Sequence, residues 1–216
     1  MSVKYSKDIC GNNILIDDSE NHQIMMEWEK PYMNSLIKKL NPYGDVLEIG
    51  FGLGYSADAI QKYDIKSHTI IEADEQVFQK AIEWSKLQKH KVNLVKGYWQ
   101  DVLSNLGKFD CIFFDDAPSE KFKDKKNMRI YKFVYNLLQN HVNKKARMTW
   151  FADKDLMWLC QPGCSFSAEI IDIEIPKHCK YVKDNKLSVP LLVFEEGCMK
   201  NIKRLGMGNN LEVIAI

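Results

Sequence analysis

From Asp45 onward, apolar runs of strand length alternate with longer amphipathic stretches, and this alternation constrains the fold more than any other feature of the chain. The runs are Val46–Ile49, His68–Glu72, Val92–Val95, Phe109–Asp115 and Arg147–Phe151. Between them, Tyr55–Lys62, Glu75–Leu87, Trp99–Leu106 and Lys125–Val142 carry the spacing of helices that bury one face. Apolar strands joined by helices lie parallel, with helices covering both faces of the sheet. After Phe151 the alternation stops. Ala168–Ile175 and Leu187–Glu195 are extended runs joined by a polar linker containing Pro176, His178 and Lys180. Two such runs pair as an antiparallel hairpin, and Pro190, which lacks a ladder donor, predicts an edge position or a bulge. The expected fold is α/β and Rossmann-like: a mostly parallel seven-stranded central sheet with a C-terminal antiparallel hairpin and helices on both faces.

Ahead of the first strand, Ser19–Leu40 reads as helical and is divided at Pro31, while Leu211–Ile216 is apolar enough for one more short strand. A chain of 216 residues that is 45% hydrophobic supplies one domain with a single core. Its parts are an N-terminal helical segment, 1–44, a core, 45–152, and a hairpin with its tail, 153–216. Lys and Arg total 30 against 29 Asp and Glu, so no global field draws nucleic acid or an acidic membrane to the chain. The cysteines form no C-x-x-C pair, Cys160 and Cys164 lack the second half of a zinc site, and His22, His68, His90, His141 and His178 are scattered, so no metal site is expected. The N-terminus has no apolar leader and no run approaches the roughly 20 apolar residues of a membrane span, which points to the cytoplasm.

The segment Glu48-Ile49-Gly50-Phe51-Gly52-Leu53-Gly54 lies between a strand and a helix, where glycines permit a sharp turn and close approach of a ligand. Such a turn also serves to close an ordinary strand-to-helix corner. Tyr55 stands where a dinucleotide fingerprint needs a small residue, and Glu48 would repel a diphosphate. Glu48 suits instead a ligand with an ammonium and a sulfonium centre, which is S-adenosylmethionine. Glu72 ends the second strand about twenty residues on, where a carboxylate accepts bonds from ribose hydroxyls, and Asp74 is the better helix cap. Gly97-Tyr98-Trp99-Gln100-Asp101 offers a ring to pack on adenine and polar groups for its edge, although a tryptophan there serves equally as core.

Several segments carry a family resemblance: Met25-Met26-Glu27-Trp28-Glu29-Lys30-Pro31-Tyr32-Met33, Val46 to Gly52, Ile70-Ile71-Glu72, Lys96 to Val102, and Phe109 to Asp115. In these the chain resembles the guanidinoacetate N-methyltransferases and the related arginine δ-N-methyltransferases, and His178 to Tyr181 with Ser188 to Val193 resembles the family's last hairpin. The resemblance implies that Gly50, Phe51, Gly52, Leu53, Gly54, Tyr55 and Ser56 lie on the cofactor, together with Glu72, Ala73, Asp74, Trp99 and Gln100. It further implies Met25 and Met33 at the mouth of that site, with the N-terminal segment as a lid, and Glu29 and Asp115 on the guanidino group.

A guanidinium is a poor nucleophile with a pKa above about 12, so its methylation needs a carboxylate to orient it and take a proton. Asp115, at the end of the fourth strand and beside the cofactor, is expected to be the base, and Glu29 the anchor. Asp116 is expected to point to solvent. The chain departs from the family at Asn143-Lys144-Lys145-Ala146, where a proline-glycine-glycine turn is usual, and at Ala152-Asp153-Lys154-Asp155, where the contacts to a substrate carboxylate are missing. The first functional expectation is N-methylation of a small guanidino compound. The alternatives are an arginine or amine in a protein, and a non-catalytic S-adenosylmethionine-binding protein.

Overall fold

A computed structural model describes residues 3–17, 22–117, 126–153 and 163–195. Three short strands open the chain: β1 (Val3–Lys7), β2 (Asn13–Asp17) and β3 (His22–Met26), paired antiparallel in the order β1-β2-β3. Helix α1 (Glu29–Leu40) follows. The core then alternates as expected, through β4 (Gly44–Ile49), α2 (Tyr55–Ile60), β5 (Ile65–Glu72), α3 (Glu75–Ser85), β6 (Lys91–Lys96), α4 (Trp99–Val102) with a 3₁₀ turn at Leu103–Asn105, β7 (Phe109–Phe114), α5 (Lys126–Asn140) and β8 (Val142–Trp150). The two-residue β9 (Ala152–Asp153) leads to the hairpin β10 (Cys164–Asp172) and β11 (Lys186–Phe194).

These strands form a second sheet in the order β10-β11-β8-β7-β4-β5-β6, with β9 against β11. The pairs β4–β5, β4–β7, β5–β6 and β7–β8 are parallel, and β11 pairs antiparallel with β8, β9 and β10. Its apolar strands are buried on both faces because successive side chains point opposite ways. Val46, Ile70, Cys111 and Phe113 face α1, α2 and α3, whereas Leu47, Ile49, Ile71, Ile112 and Phe114 face α4 and α5.

Two expectations need correction. The helix expected over Ser19–Leu40 does not include His22–Met26, which is strand, and α1 starts at Glu29, two residues before Pro31, which is tolerated in a first turn. The side chains of Ile14, Leu15, Met25 and Met26 join the core of α1 and α2, and that burial overrides the helical propensity of Gln23, Met25 and Met26. Pro190 lies neither on an edge nor in a bulge. Leu192 pairs with Met148 and Ser188 with Ala152 in one unbroken register, so the proline removes rungs between β8 and β9 without shifting the strands. Thr149 donates to the Pro190 carbonyl at 2.6 Å across that gap. The stretch Leu211–Ile216 lies outside the described residues.

Candidate cofactor and acceptor site

Strand β4 has β5 on one side and β7 on the other, and the chain runs outward through β5 and β6 before returning to β7. Such a reversal opens a crevice at the carboxyl ends of the central strands. Backbone bonds stitch its rim: Asp115 N–H donates to Ile49 O at 3.0 Å, Gly50 N–H to Ile71 O at 2.9 Å, and Gly97 N–H to Glu72 O at 2.9 Å. Gly50 is required here, because its φ is +83° and a Cβ would stand 2.3 Å from the Asp115 carbonyl oxygen. Gly52, with φ +54°, is covered from outside. A Cβ there would lie 2.7 Å from the Met25 sulfur, Leu53 N–H points at that sulfur from 3.3 Å, and Tyr5 donates its hydroxyl to Gly52 O at 2.9 Å. The β1–β3 sheet therefore overlies the glycine turn.

The carboxylates around the turn divide by role. Glu72 accepts Phe51 N–H at 2.9 Å on one oxygen and Asp74 N–H at 2.8 Å on the other, so it shapes the turn as well as facing it. Ala73 N–H is a third backbone donor to this carboxylate, which can accept about four bonds in all. Burial pushes the Glu72 carboxyl above its ordinary range, with the backbone bonds acting against it. Asp74 caps α3 through Gln76 and Val77, as expected. Glu48 and Ser56 are fully buried and bonded to each other, and His68 Nε2 lies 2.8 Å from the second Glu48 oxygen. The alternation of β4 sends Glu48 to the α2 face, where these partners stand.

Beyond β6, Trp99 takes the core role. It is 4% exposed, packs edge-on against Phe114 and Phe133, and donates to Asp116 at 3.1 Å. Asp116 also pairs with Arg129 Nε at 3.0 Å, and both side chains are nearly buried. The expectation that Asp116 faces solvent is thus overturned, because α5 brings a guanidinium over the end of β7. The neighbouring Gln100 has its Oε1 buried with no hydrogen-bond partner among the described residues. An acceptor without a donor in a buried place fits a ligand amino group.

On the acceptor side, Glu29 is 2% exposed at the first residue of α1. Its Oε1 accepts Met26 N–H at 2.9 Å and the Tyr181 hydroxyl at 2.5 Å. Tyr32 ties α1 to β9 and β11: its hydroxyl accepts Ala152 N–H at 3.0 Å and donates to Ser188 O at 2.5 Å. Phe151 N–H donates to Phe114 O at 3.3 Å, so the ends of β7 and β8 and the start of α1 share one edge of the sheet. Burial raises the hydroxyls of Tyr5, Tyr55 and Tyr181, and carboxylates add to each: Glu72 and Asp74 at Tyr5, Glu27 and Glu29 at Tyr55, Glu29 at Tyr181. Tyr55 is pushed up to about 12. Met25 stands at the glycine turn, and Met33 is wholly buried in the same core cluster.

A family profile described as Guanidinoacetate N-methyltransferase matches residues 18–153. The chain belongs to the guanidinoacetate N-methyltransferase family. Among its relatives is the Protein arginine N-methyltransferase 2 of Candida glabrata, 31% identical over 170 residues, which cover 72% of this chain and 38% of that protein. The protein of the same name from Aspergillus oryzae is 36% identical over 110 residues, 48% of this chain and 26% of its own length. This chain therefore corresponds to well under half of those relatives. Among solved structures, the putative methyltransferase yhhF of Escherichia coli has a TM-score of 0.56 at 14% identity, covering 86% of this chain and 93% of that one. M. jannaschii TYW2 in complex with AdoMet has a TM-score of 0.54 at 15% identity, covering 89% and 85%. The fold is the Rossmann-like methyltransferase fold.

The methyl donor of this methyltransferase family is S-adenosylmethionine, and the residues present fit it. The Gly50–Gly54 turn, the Glu72 carboxylate and the orphan Gln100 oxygen offer a close backbone, acceptors for hydroxyls and an acceptor for an amino group. Sequence reasoning missed Tyr5 and Tyr181. Tyr5 alternates with Val3 in a strand-like run, a signal that was present, whereas Tyr181 reaches Glu29 across 152 residues and left none.

Proposed function

We propose that the chain transfers a methyl group from S-adenosylmethionine to a guanidino nitrogen, and that the acceptor is an arginine within a protein or peptide. What supports the guanidino part is that Glu29 opens α1 and Asp115 follows β7, two segments tied to the ends of β8 and β9 through Tyr32 with Ala152 and Phe151 with Phe114. The protein acceptor rests on the relatives, which are named for protein arginine. Bound S-adenosylmethionine supplies an already activated methyl group. Glu29, fixed by Met26 and Tyr181, anchors the planar guanidinium fork, and the Asp115 carboxylate accepts the proton that the methylated nitrogen gives up. Met25 and the β1–β3 sheet keep water from the turn.

The family profile favours a second reading, a small guanidino acceptor. Purified protein with methyl-labelled S-adenosylmethionine separates the two. Label in arginine-containing polypeptides supports the first, and label in guanidinoacetate or free arginine alone replaces it with the second. No transfer to any of these, with Asp115→Asn leaving cofactor binding intact, rejects both in favour of a binding protein.

A further inference from the structure

The turn between β1 and β2 and the linker between β10 and β11 meet outside the site just described. There Asp8, Cys10 and His178 present one carboxylate oxygen, one thiol sulfur and one imidazole nitrogen, all within 4.8 Å of one another. It is the one group of three such side chains among the described residues. We propose that these three residues bind a zinc ion that clamps the β1–β2 turn to the β10–β11 linker.

The donor set selects the metal. A mixed oxygen, nitrogen and sulfur set suits zinc, whereas calcium and magnesium take oxygen alone. With zinc bonds of roughly 2.0 to 2.3 Å, tetrahedral ligand atoms stand roughly 3.3 to 3.7 Å apart. His178 Nε2 and Asp8 Oδ2 are 2.9 Å apart and the Cys10 sulfur lies within 4.8 Å of both, so small side-chain rotations bring the three atoms to that spacing. Cys10 is exposed, which leaves the outer side of the group open to water as a fourth ligand.

The group is also held in place by bonds outside it. The other Asp8 oxygen accepts Cys10 N–H at 2.8 Å and Asn12 N–H at 2.9 Å, and Gly11, with φ +83°, closes the turn by donating to Asp8 O at 3.0 Å. This projects Asp8 and Cys10 to one side. On the linker, Gln23 donates to the His178 carbonyl at 3.0 Å and accepts Lys180 N–H at 2.7 Å. Bonds of this kind orient metal ligands and hold a site ready for the ion. The two segments carry Tyr5, which holds the glycine turn, and Tyr181, which holds Glu29, so an ion here steadies both sides of the candidate site.

Cobalt is the probe, because a tetrahedral cobalt ion with a thiolate ligand gives visible d–d bands and a charge-transfer shoulder. Titration of the metal-stripped, reduced protein is expected to develop both features at one equivalent, and one equivalent of zinc is expected to remove them. Cys10→Ser, at an exposed position, is expected to abolish the charge-transfer shoulder with the far-UV circular dichroism unchanged. His178→Gln is expected to weaken zinc at least about tenfold. Zinc is expected to raise the melting temperature of the wild type and not of Cys10→Ser. Absence of cobalt bands at stoichiometric metal overturns the proposal, as do bands that persist unchanged in Cys10→Ser.

Discussion

At the scale of single residues, the site depends on positions where backbone and carboxylates meet. Gly50 holds a φ of +83° with the Asp115 carbonyl where its side chain would be. Gly50→Ala is expected to destabilise the protein by about 2 kcal/mol or more, measured as a shift in the urea midpoint. Gly107 has open space around it and no positive φ, so Gly107→Ala is expected to be neutral or to stabilise by about 0.4–1 kcal/mol. Equal losses at both positions would remove the steric explanation. Glu72 gives a pH dependence. Its folded carboxyl lies above the ordinary value, so the folded protein binds that proton more tightly than the unfolded chain. The stability this contributes is complete below the unfolded value of about 4.3 and is lost as pH rises through the folded one. Relative to wild type, Glu72→Gln should therefore gain stability as pH rises from about 4.3 toward neutrality. An offset between the two that stays constant over that range would refute this.

At the scale of elements, the Asp116–Arg129 pair joins the end of β7 to α5, and Trp99 brings in the start of α4. Removing one partner of a nearly buried ion pair leaves the other charge uncompensated, so Arg129→Met is expected to cost about 3 kcal/mol. Asp116→Asn with Arg129→Met should recover part of that loss in a double-mutant cycle, and strict additivity would show that the pair is not coupled. This pair also marks a limit of sequence reasoning. Strands β4 to β8 and their helices were legible because apolar residues on both faces of a parallel sheet give continuous runs that few other structures explain. The destination of Asp116 was not legible, because it depends on α5 lying over the end of β7. The β1–β3 sheet was barely legible, beyond the alternation of Val3 and Tyr5, for another reason. Its strands have five residues each, and β3 carries Gln23, Met25 and Met26, types that favour helix until the core of α1 and α2 takes the methionine side chains. At the site, the helix start at Glu29 and the strand end before Asp115 follow from the sequence, whereas the burial of Trp99 and Met33 depends on ring and helix packing.

At the scale of the whole molecule, the first 29 residues are tied to the linker after β10 by three separate contacts: Asp8 with His178, Gln23 with His178 O and Lys180 N, and Glu29 with Tyr181. An isolated sheet with strands this short is marginal, so the β1–β3 sheet depends on what it packs against. If these contacts act as one unit, loosening any of them loosens both segments together. Tyr181→Phe tests this with the loss of one hydroxyl. A hydrogen bond to a charged group contributes about 1.5–3 kcal/mol, equivalent to roughly 10- to 150-fold in a local opening equilibrium. Native-state hydrogen exchange should accelerate by a factor of that order in the linker and, to a similar extent, at amides of β1 and β2 that are more than 160 residues away in sequence. Amides in β4 and β7, whose bonds lie inside the central sheet, should be unaffected. Acceleration confined to the neighbourhood of Tyr181 would mean that the β1–β3 sheet holds its place over the glycine turn through Tyr5 and Met25 alone, independently of the C-terminal hairpin.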